Sequence, residues 1–248
     1  MRVFGLIGFP LGHSFSKSYF TEKFKIENIS ARYETFPIES LNELALIFEE
    51  NPELEGLNVT IPYKEKIIPF LHRLEPESEK IGAINTIRIE HLFGNIQLTG
   101  FNTDVSGFEL SLTPLLQPHH SKALILGSGG ASRSVCYVLD KLNIPWKIVS
   151  RTPNSSRMIS YSSITPEVIH SYKLIINTTP LGMLPAIDTF PDIPYSYLGP
   201  EHLLYDLVYN PKMTLFLHKG MQNGAKVKNG MEMLQIQAEK AWEIWNTY

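Results

Sequence analysis

Cysteine is almost absent: Cys136 stands alone among 248 residues, so no intrachain disulfide and no cysteine-based zinc site can form. Long apolar runs are missing too, and nothing approaches the roughly 18 residues of a membrane-spanning helix. The N-terminus lacks the basic-then-apolar layout of a secretory leader, which makes the cytoplasm the expected location. Charge is sparse, at 19% of residues with a net of -3, and gives no electrostatic reason to expect nucleic acid or an anionic membrane as a partner. Internal repeats and low-complexity tracts are also lacking. What remains is a chain with 43% apolar residues, long enough for one large globular domain or two modest ones.

The most informative stretch runs from Lys122 to Arg133. Ala123–Leu126 lead into Gly127-Ser128-Gly129-Gly130-Ala131-Ser132, and a helical apolar pattern follows at Val135, Val138, Leu139 and Leu142. A buried parallel strand, a tight phosphate-binding turn and a crossover helix read this way. Glycine lets a pyrophosphate approach the backbone N–H groups at the helix start. The third glycine of the fingerprint is replaced by Ser132, which is small enough for close packing of helix on sheet. Pro145–Ser150 reads as the next strand, and at its end an NAD-binding domain would carry Asp or Glu. The chain has Ser150-Arg151-Thr152 instead. Arg151 can pair with a 2′-phosphate and Thr152 can donate to it, which favours NADP over NAD. The plainer alternative is a solvated arginine at a strand end.

The N-terminal part alternates strand and helix: Val3–Gly8, a helix to about Ile26, Ala31–Pro37, a helix over Ile38–Glu50, and Leu54–Val59. That order implies a parallel sheet. Polar residues gather where strands end. His13-Ser14-Phe15-Ser16 follows the first strand, and the serines are either helix caps or ligand contacts. Asn58-Val59-Thr60-Ile61-Pro62-Tyr63-Lys64 follows the third, with Pro62 expected to set the start of another helix and keep Lys64 close above the sheet. Thr86–Ile89 and Ile96–Gly100 suggest an antiparallel hairpin turning near Phe93-Gly94-Asn95. Asp104 heads a further helix, where it could serve simply as a cap. Strands at Leu174–Asn177, Leu203–Val208 and Ala225–Val227, a helix over Met213–Gln222 and an amphipathic last helix complete the chain. Gln237 lies on that last helix, where an ordinary polar surface position is the competing reading. The fold class is α/β: residues 1–102 form a mostly parallel substrate domain and 103–230 a Rossmann dinucleotide-binding domain, with a cleft between them. Helix 231–248 is expected to pack back on the first domain.

Taken together, the motifs resemble one family, shikimate dehydrogenase. They are His13-Ser14-x-Ser16, Asn58-Val59-Thr60-x-Pro62-x-Lys64, Gly82-Ala83-x-Asn85-Thr86, Asn102-Thr103-Asp104, the Gly127–Arg133 turn, Arg151-Thr152, Tyr209 and Gly230-x-x-Met233-Leu234-x-x-Gln237-Ala238. The resemblance covers essentially the whole chain, with the motifs in family order. It implies reversible reduction of 3-dehydroshikimate to shikimate with NADPH, in the pathway to chorismate and the aromatic amino acids. By position it implies that Ser14 and Ser16 hold the substrate carboxylate, assisted by Tyr209. Thr60, Lys64, Asn85, Asp104 and Gln237 would surround the ring hydroxyls and the reacting carbon. On the cofactor side, Gly127, Ser128, Gly129, Gly130 and Ala131 would cradle the pyrophosphate. Ser150, Arg151 and Thr152 would meet the 2′-phosphate, with Leu207 and Gly230 near the nicotinamide. The family's usual proline after the second serine is Lys17 here, its His-Asn a few residues later is Tyr19-Phe20, and a second basic residue near the 2′-phosphate is replaced by Ser155, for which Arg157 is a candidate substitute.

Ketone reduction needs a proton source for the developing alkoxide. The expected catalytic pair is Lys64 as acid/base with Asp104 orienting it. The expected partner is a small molecule, shikimate or 3-dehydroshikimate, bound by a monomer or homodimer without metal. Three other readings stay open: a quinate/shikimate dehydrogenase with relaxed substrate or cofactor choice, a folate-processing dehydrogenase, and a non-catalytic NADP- or shikimate-binding module. The folate reading would need a long apolar slot that the Ser14/Ser16 end does not suggest.

Overall fold

The computed structural model describes residues 1–12, 14–92 and 94–247. His13 and Phe93, which the sequence places in the serine motif and the hairpin turn, lie outside the described residues. Contacts within the chain divide it into two compact units, Met1–Thr103 with Ala238–Tyr248, and Asp104–Gln237.

The first unit contains β1 (Arg2–Gly8), α1 (Phe15–Ile26), β2 (Ala31–Pro37), α2 (Leu44–Glu50), β3 (Leu54–Val59), β4 (Arg73–Leu74), α3 (Pro76–Ile81), β5 (Thr86–Leu92) and β6 (Asn95–Phe101). Its sheet has the order β2-β1-β3-β5-β6-β4. β1 pairs in parallel with β2 and β3, while β5 is antiparallel to β3 and β6, giving the hairpin its expected sense. β1 is apolar on both faces. Val3 and Ile7 enter one core with Leu44, Ile47 and Leu57, and Phe4 and Leu6 enter the other with Phe20, Phe24 and Tyr33. A strand buried on both sides must read as a continuous apolar run, as this one does.

Two helix expectations need correction. The helix over Ile38–Glu50 begins later, because Ser40 and Glu43 form a reciprocal capping box that starts a 3-10 turn at Leu41, and α2 follows from Leu44. No helix starts at Lys64. Residues 64–67 form turns, with only a 3-10 segment at Ile68–Phe70, because buried Tyr63 and Ile67 pull the segment inward and the Tyr63 hydroxyl donates to the Ile38 carbonyl (2.7 Å).

The second unit comprises α4 (Asp104–Leu112), β7 (Ala123–Leu126), α5 (Gly130–Lys141), β8 (Trp146–Val149), β9 (Met158–Ile159), α6 (Pro166–Ser171), β10 (Leu174–Asn177), β11 (Leu203–Asp206), α7 (Leu215–Gln222) and β12 (Lys226–Lys228). α8 (Met231–Trp245) leaves this unit at Gln237 and continues into the first. All six strands are parallel, in the order β12-β11-β10-β7-β8-β9. Renumbered within the unit this is 3-2-1-4-5-6 read from the other edge, the Rossmann order, with its switch point between β7 and β10. β11 stops at Asp206, two residues short of the expected Val208, because the Asp206 carboxylate takes up the Val208 N–H.

Candidate active site

In the first unit the switch point lies between β1 and β3, and the polar residues expected there occupy it. Ser14 is the N-cap of α1, its hydroxyl oxygen accepting from the Lys17 N–H (3.2 Å). The capping bond uses an acceptor site and leaves the Ser14 O–H available to donate. Ser16 lies in the first turn of α1 and bonds to the Tyr33 phenol, whose pKa burial pushes well above the ordinary range. Tyr33 donates to Asn58 Oδ1 (2.7 Å), and Asn58 Nδ2 donates to the Asn85 carbonyl (3.2 Å) and the Thr86 hydroxyl (3.3 Å). Asn85 is buried; its Oδ1 accepts from the Thr103 N–H (2.7 Å) and its Nδ2 donates to the Thr103 hydroxyl (3.0 Å). This chain of bonds links α1 to the ends of β3 and β6. Thr60 is held by its N–H to the Ile7 carbonyl (3.0 Å), and the Lys64 carbonyl accepts from the Ile84 N–H (2.7 Å), next to Asn85. Ser16 and Asn85 therefore belong to one side-chain framework, while Ser14 caps α1 and Thr60 and Lys64 are fixed by their backbones. Tyr33, Thr86 and Thr103 are part of that framework although the motifs did not single out their roles; Tyr33 is the one buried residue of β2.

Asp104, the next residue in the chain, opens the second unit. It is buried in the first turn of α4, where the helix dipole favours a negative charge. Gly107, one turn on, allows α8 to come close: a β-carbon there would lie 2.6 Å from the Met233 carbonyl and 3.3 Å from Gln237 Cβ. Gln237 thus meets the face of α4 that carries Asp104. Lys64 belongs to the first unit and Asp104 to the second.

The glycine turn sits at the Rossmann switch point. Gly127 has φ +107°, a conformation that disfavours any side chain, and its turn is pinned by the Thr178 hydroxyl to the Leu126 carbonyl (2.9 Å). Gly129 is the N-cap of α5, and a β-carbon there would meet nothing within 4 Å, so the space before the helix N-terminus is open. Ser132 is buried and donates to the Gly129 carbonyl (2.6 Å), so its hydroxyl is consumed within the turn. Ser128, the residue between the first two glycines, is exposed beside Gly129. These features fit a pyrophosphate: open approach and donors at a helix start.

Past β8, Ser150 is buried and accepts the Thr152 N–H (3.2 Å), leaving Arg151 and Thr152 exposed. Burial pushes the Tyr161 phenol up, and the nearby Arg151 charge opposes this. Arg157 does not join them: its guanidinium lies over the Trp146 ring (4.7 Å) and 3.8 Å from Asp140. At the far end, Leu207 and Gly230 meet backbone to backbone, a β-carbon at Gly230 falling 2.2 Å from the Leu207 carbonyl. Tyr209 is half-buried in the same loop. Among the described residues no cluster of three or more His, Cys, Asp or Glu is placed to hold a metal, and no helix is long and apolar enough to cross a membrane.

Fold and site define a two-unit α/β dehydrogenase whose second unit is a Rossmann domain. A family profile described as the shikimate dehydrogenase substrate binding domain matches residues 6–87. A shikimate dehydrogenase (NADP(+)) of Desulforamulus reducens is 34% identical, covering 100% of this chain and 90% of that protein. The Thermus thermophilus enzyme, solved with NADP(H) and shikimate, superposes with a TM-score of 0.83 at 29% identity, over 99% of this chain and 94% of that one. A Listeria monocytogenes relative, solved with shikimate and NAD, has a TM-score of 0.82 at 26% identity, over 98% and 91%. The chain belongs to the shikimate dehydrogenase family.

Proposed function

We propose that the chain is an NADP-dependent oxidoreductase that reversibly reduces 3-dehydroshikimate to shikimate, acting in the cytoplasm as a monomer or homodimer. The observation that carries the reading is the polar framework at the first unit's switch point, whose hydroxyl and amide groups suit a small polyhydroxylated acid. The first unit binds this substrate and the Rossmann unit binds NADP through Gly127–Ala131, Ser150, Arg151 and Thr152, with Leu207 and Gly230 toward the nicotinamide.

NADPH, when bound, supplies the hydride that adds to the ketone carbon. Lys64 Nζ gives a proton to the carbonyl oxygen as negative charge develops there and takes it back in the oxidising direction. Asp104 orients the lysine and accepts from a ring hydroxyl. Ser14 donates to the carboxylate, joined by Ser16 once its hydroxyl turns from Tyr33 and assisted by Tyr209, and Thr60, Asn85 and Gln237 fix the ring.

The initial rate of NADP+ reduction with shikimate, repeated with quinate and with NAD+, tests the reading. Turnover restricted to shikimate and NADP+ supports it, and binding without turnover refutes it. Lys64→Ala is expected to lower kcat by about 10²–10⁴-fold, the usual contribution of general acid–base catalysis. A kcat near that of the parent would remove Lys64 from the role. A second reading, relaxed cofactor choice, draws support from the 2′-phosphate end, where Ser155 replaces a second basic residue and Arg157 is engaged by Trp146 and Asp140. Comparable rates with NAD+ would favour it.

A further inference from the structure

One fully buried ionisable group of the second unit has no part in the roles above. Asp206, the last residue of β11, is 0% exposed. Its Oδ1 accepts from Asn177 Nδ2 (2.9 Å) and from the Val208 N–H (3.0 Å), and its Oδ2 accepts from the Thr214 hydroxyl (2.6 Å). Asn177 ends β10, and its own Oδ1 accepts from the Thr179 N–H (3.0 Å) and hydroxyl (2.6 Å). Thr214 is the N-cap of α7. One carboxylate therefore ties together the turn after β10, the loop leaving β11 and the start of α7. Taking a carboxylate out of water is costly, and burial has pushed its pKa up to about 6 despite three donors. An apolar side chain would fill the volume without that cost but would bind none of the three segments. The loop so held carries Leu207, against which Gly230 packs, and Tyr209.

We propose that Asp206 is a positioning residue for hydride transfer, fixing the Leu207–Tyr209 loop against the β10 turn. The proposal rests on the functional reading above, in which Leu207 and Gly230 meet the nicotinamide and Tyr209 the substrate carboxylate. Neither Asp206 nor its partners touch the reacting atoms; they set where the loop stands.

The test compares Asp206→Ala and Asp206→Asn with the parent enzyme, using steady-state kinetics with shikimate and NADP+. It adds a titration with adenosine 2′,5′-bisphosphate, which contains only the phosphate-bearing half of the cofactor. Asp206→Ala is expected to lose about a hundredfold in kcat, the scale of a loop misplaced by about 1 Å, while its bisphosphate affinity stays at the parent's level. Asp206→Asn, whose carbonyl can keep both Oδ1 bonds, is expected to recover most of that rate. A merely structural role would weaken bisphosphate binding along with kcat, or leave the two variants equally impaired, and either result overturns the proposal. Should Asp206→Ala not fold, Thr214→Val removes the Oδ2 bond together with the cap that the Thr214 hydroxyl gives the Leu217 N–H. A several-fold fall in its kcat at unchanged bisphosphate affinity supports the assignment, and an unchanged kcat overturns it. A parent enzyme that binds the bisphosphate but does not oxidise shikimate refutes the functional reading itself, before any substitution is considered.

Discussion

Ser14 caps α1 by accepting the N–H of Lys17, a bond that a proline at position 17 could not supply. The same hydroxyl is assigned to the substrate carboxylate, so Ser14→Ala would remove a cap and a ligand together. Ser14→Asp separates them, because aspartate caps as well as serine but repels a carboxylate. The melting temperature of Ser14→Asp is expected to stay near the parent's while KM for shikimate rises at least about tenfold and KM for NADP+ does not. Asp206 offers a second test, through pH. Its pKa rises from 3.8 to about 6, chiefly through burial. An acid whose folded pKa is raised contributes stability that is full below its ordinary pKa and is lost as pH rises through the folded value. About 3 kcal/mol is at stake at about 1.4 kcal/mol per pKa unit. Thermal melts between pH 4 and pH 6 should therefore show Asp206→Asn gaining on the parent as pH rises. A constant difference would contradict the shifted carboxyl.

The glycine turn and the helix it opens were legible in the sequence because their signal is local: an apolar strand, small residues, then a helical period. α6 carries an equally local signal, Thr165 as a side-chain cap followed by Pro166 at the first position, yet its six residues are too short for a period to stand out. Lys64 is different. Its turn is set by Tyr63 reaching Ile38 and by Ile84 bonding the Lys64 carbonyl, contacts made far along the chain. Asp206 was read as an interior residue of the Leu203–Val208 strand, since its partners Asn177 and Thr214 are distant in sequence or on another element. Within the turn, two glycines make different predictions. Gly127→Ala places a β-carbon 2.8 Å from Thr179 Cγ2 at φ +107° and should lower stability. Gly129→Ala has open space around it and should leave stability unchanged while raising KM for NADP+, since the methyl enters the phosphate approach. Calorimetry beside cofactor titration distinguishes the two.

The first unit is assembled from two separated stretches of chain. Ala238, Ala241 and Trp245 of α8 enter the core made by Phe4, Phe20, Phe24 and Tyr33. Trp245 stacks on Phe4 at 4.9 Å and donates to the Ile87 carbonyl at 3.0 Å. Tyr19-Phe20, where the family usually has His-Asn, belong to the same arrangement, with Phe20 stacked on Tyr33 and the Tyr19 hydroxyl donating to Glu239 of α8. Trp245→Ala is expected to cost about 3–5 kcal/mol, as removal of a large buried aromatic does. Denaturant unfolding would measure it, and a loss below about 1 kcal/mol would mean that α8 is dispensable to that core.

Chains are made from the N-terminus at about 5–20 residues per second, and domains ordinarily fold in the order in which they emerge. Here that order is reversed for completion. The Rossmann unit has all its residues once Gln237 is made, whereas the first unit, begun earliest, must wait for Trp245. During translation, Phe4, Phe20 and Phe24 therefore stay without their final cover for on the order of ten seconds. That interval is when the nascent chain depends most on whatever shields aromatic surface at the ribosome.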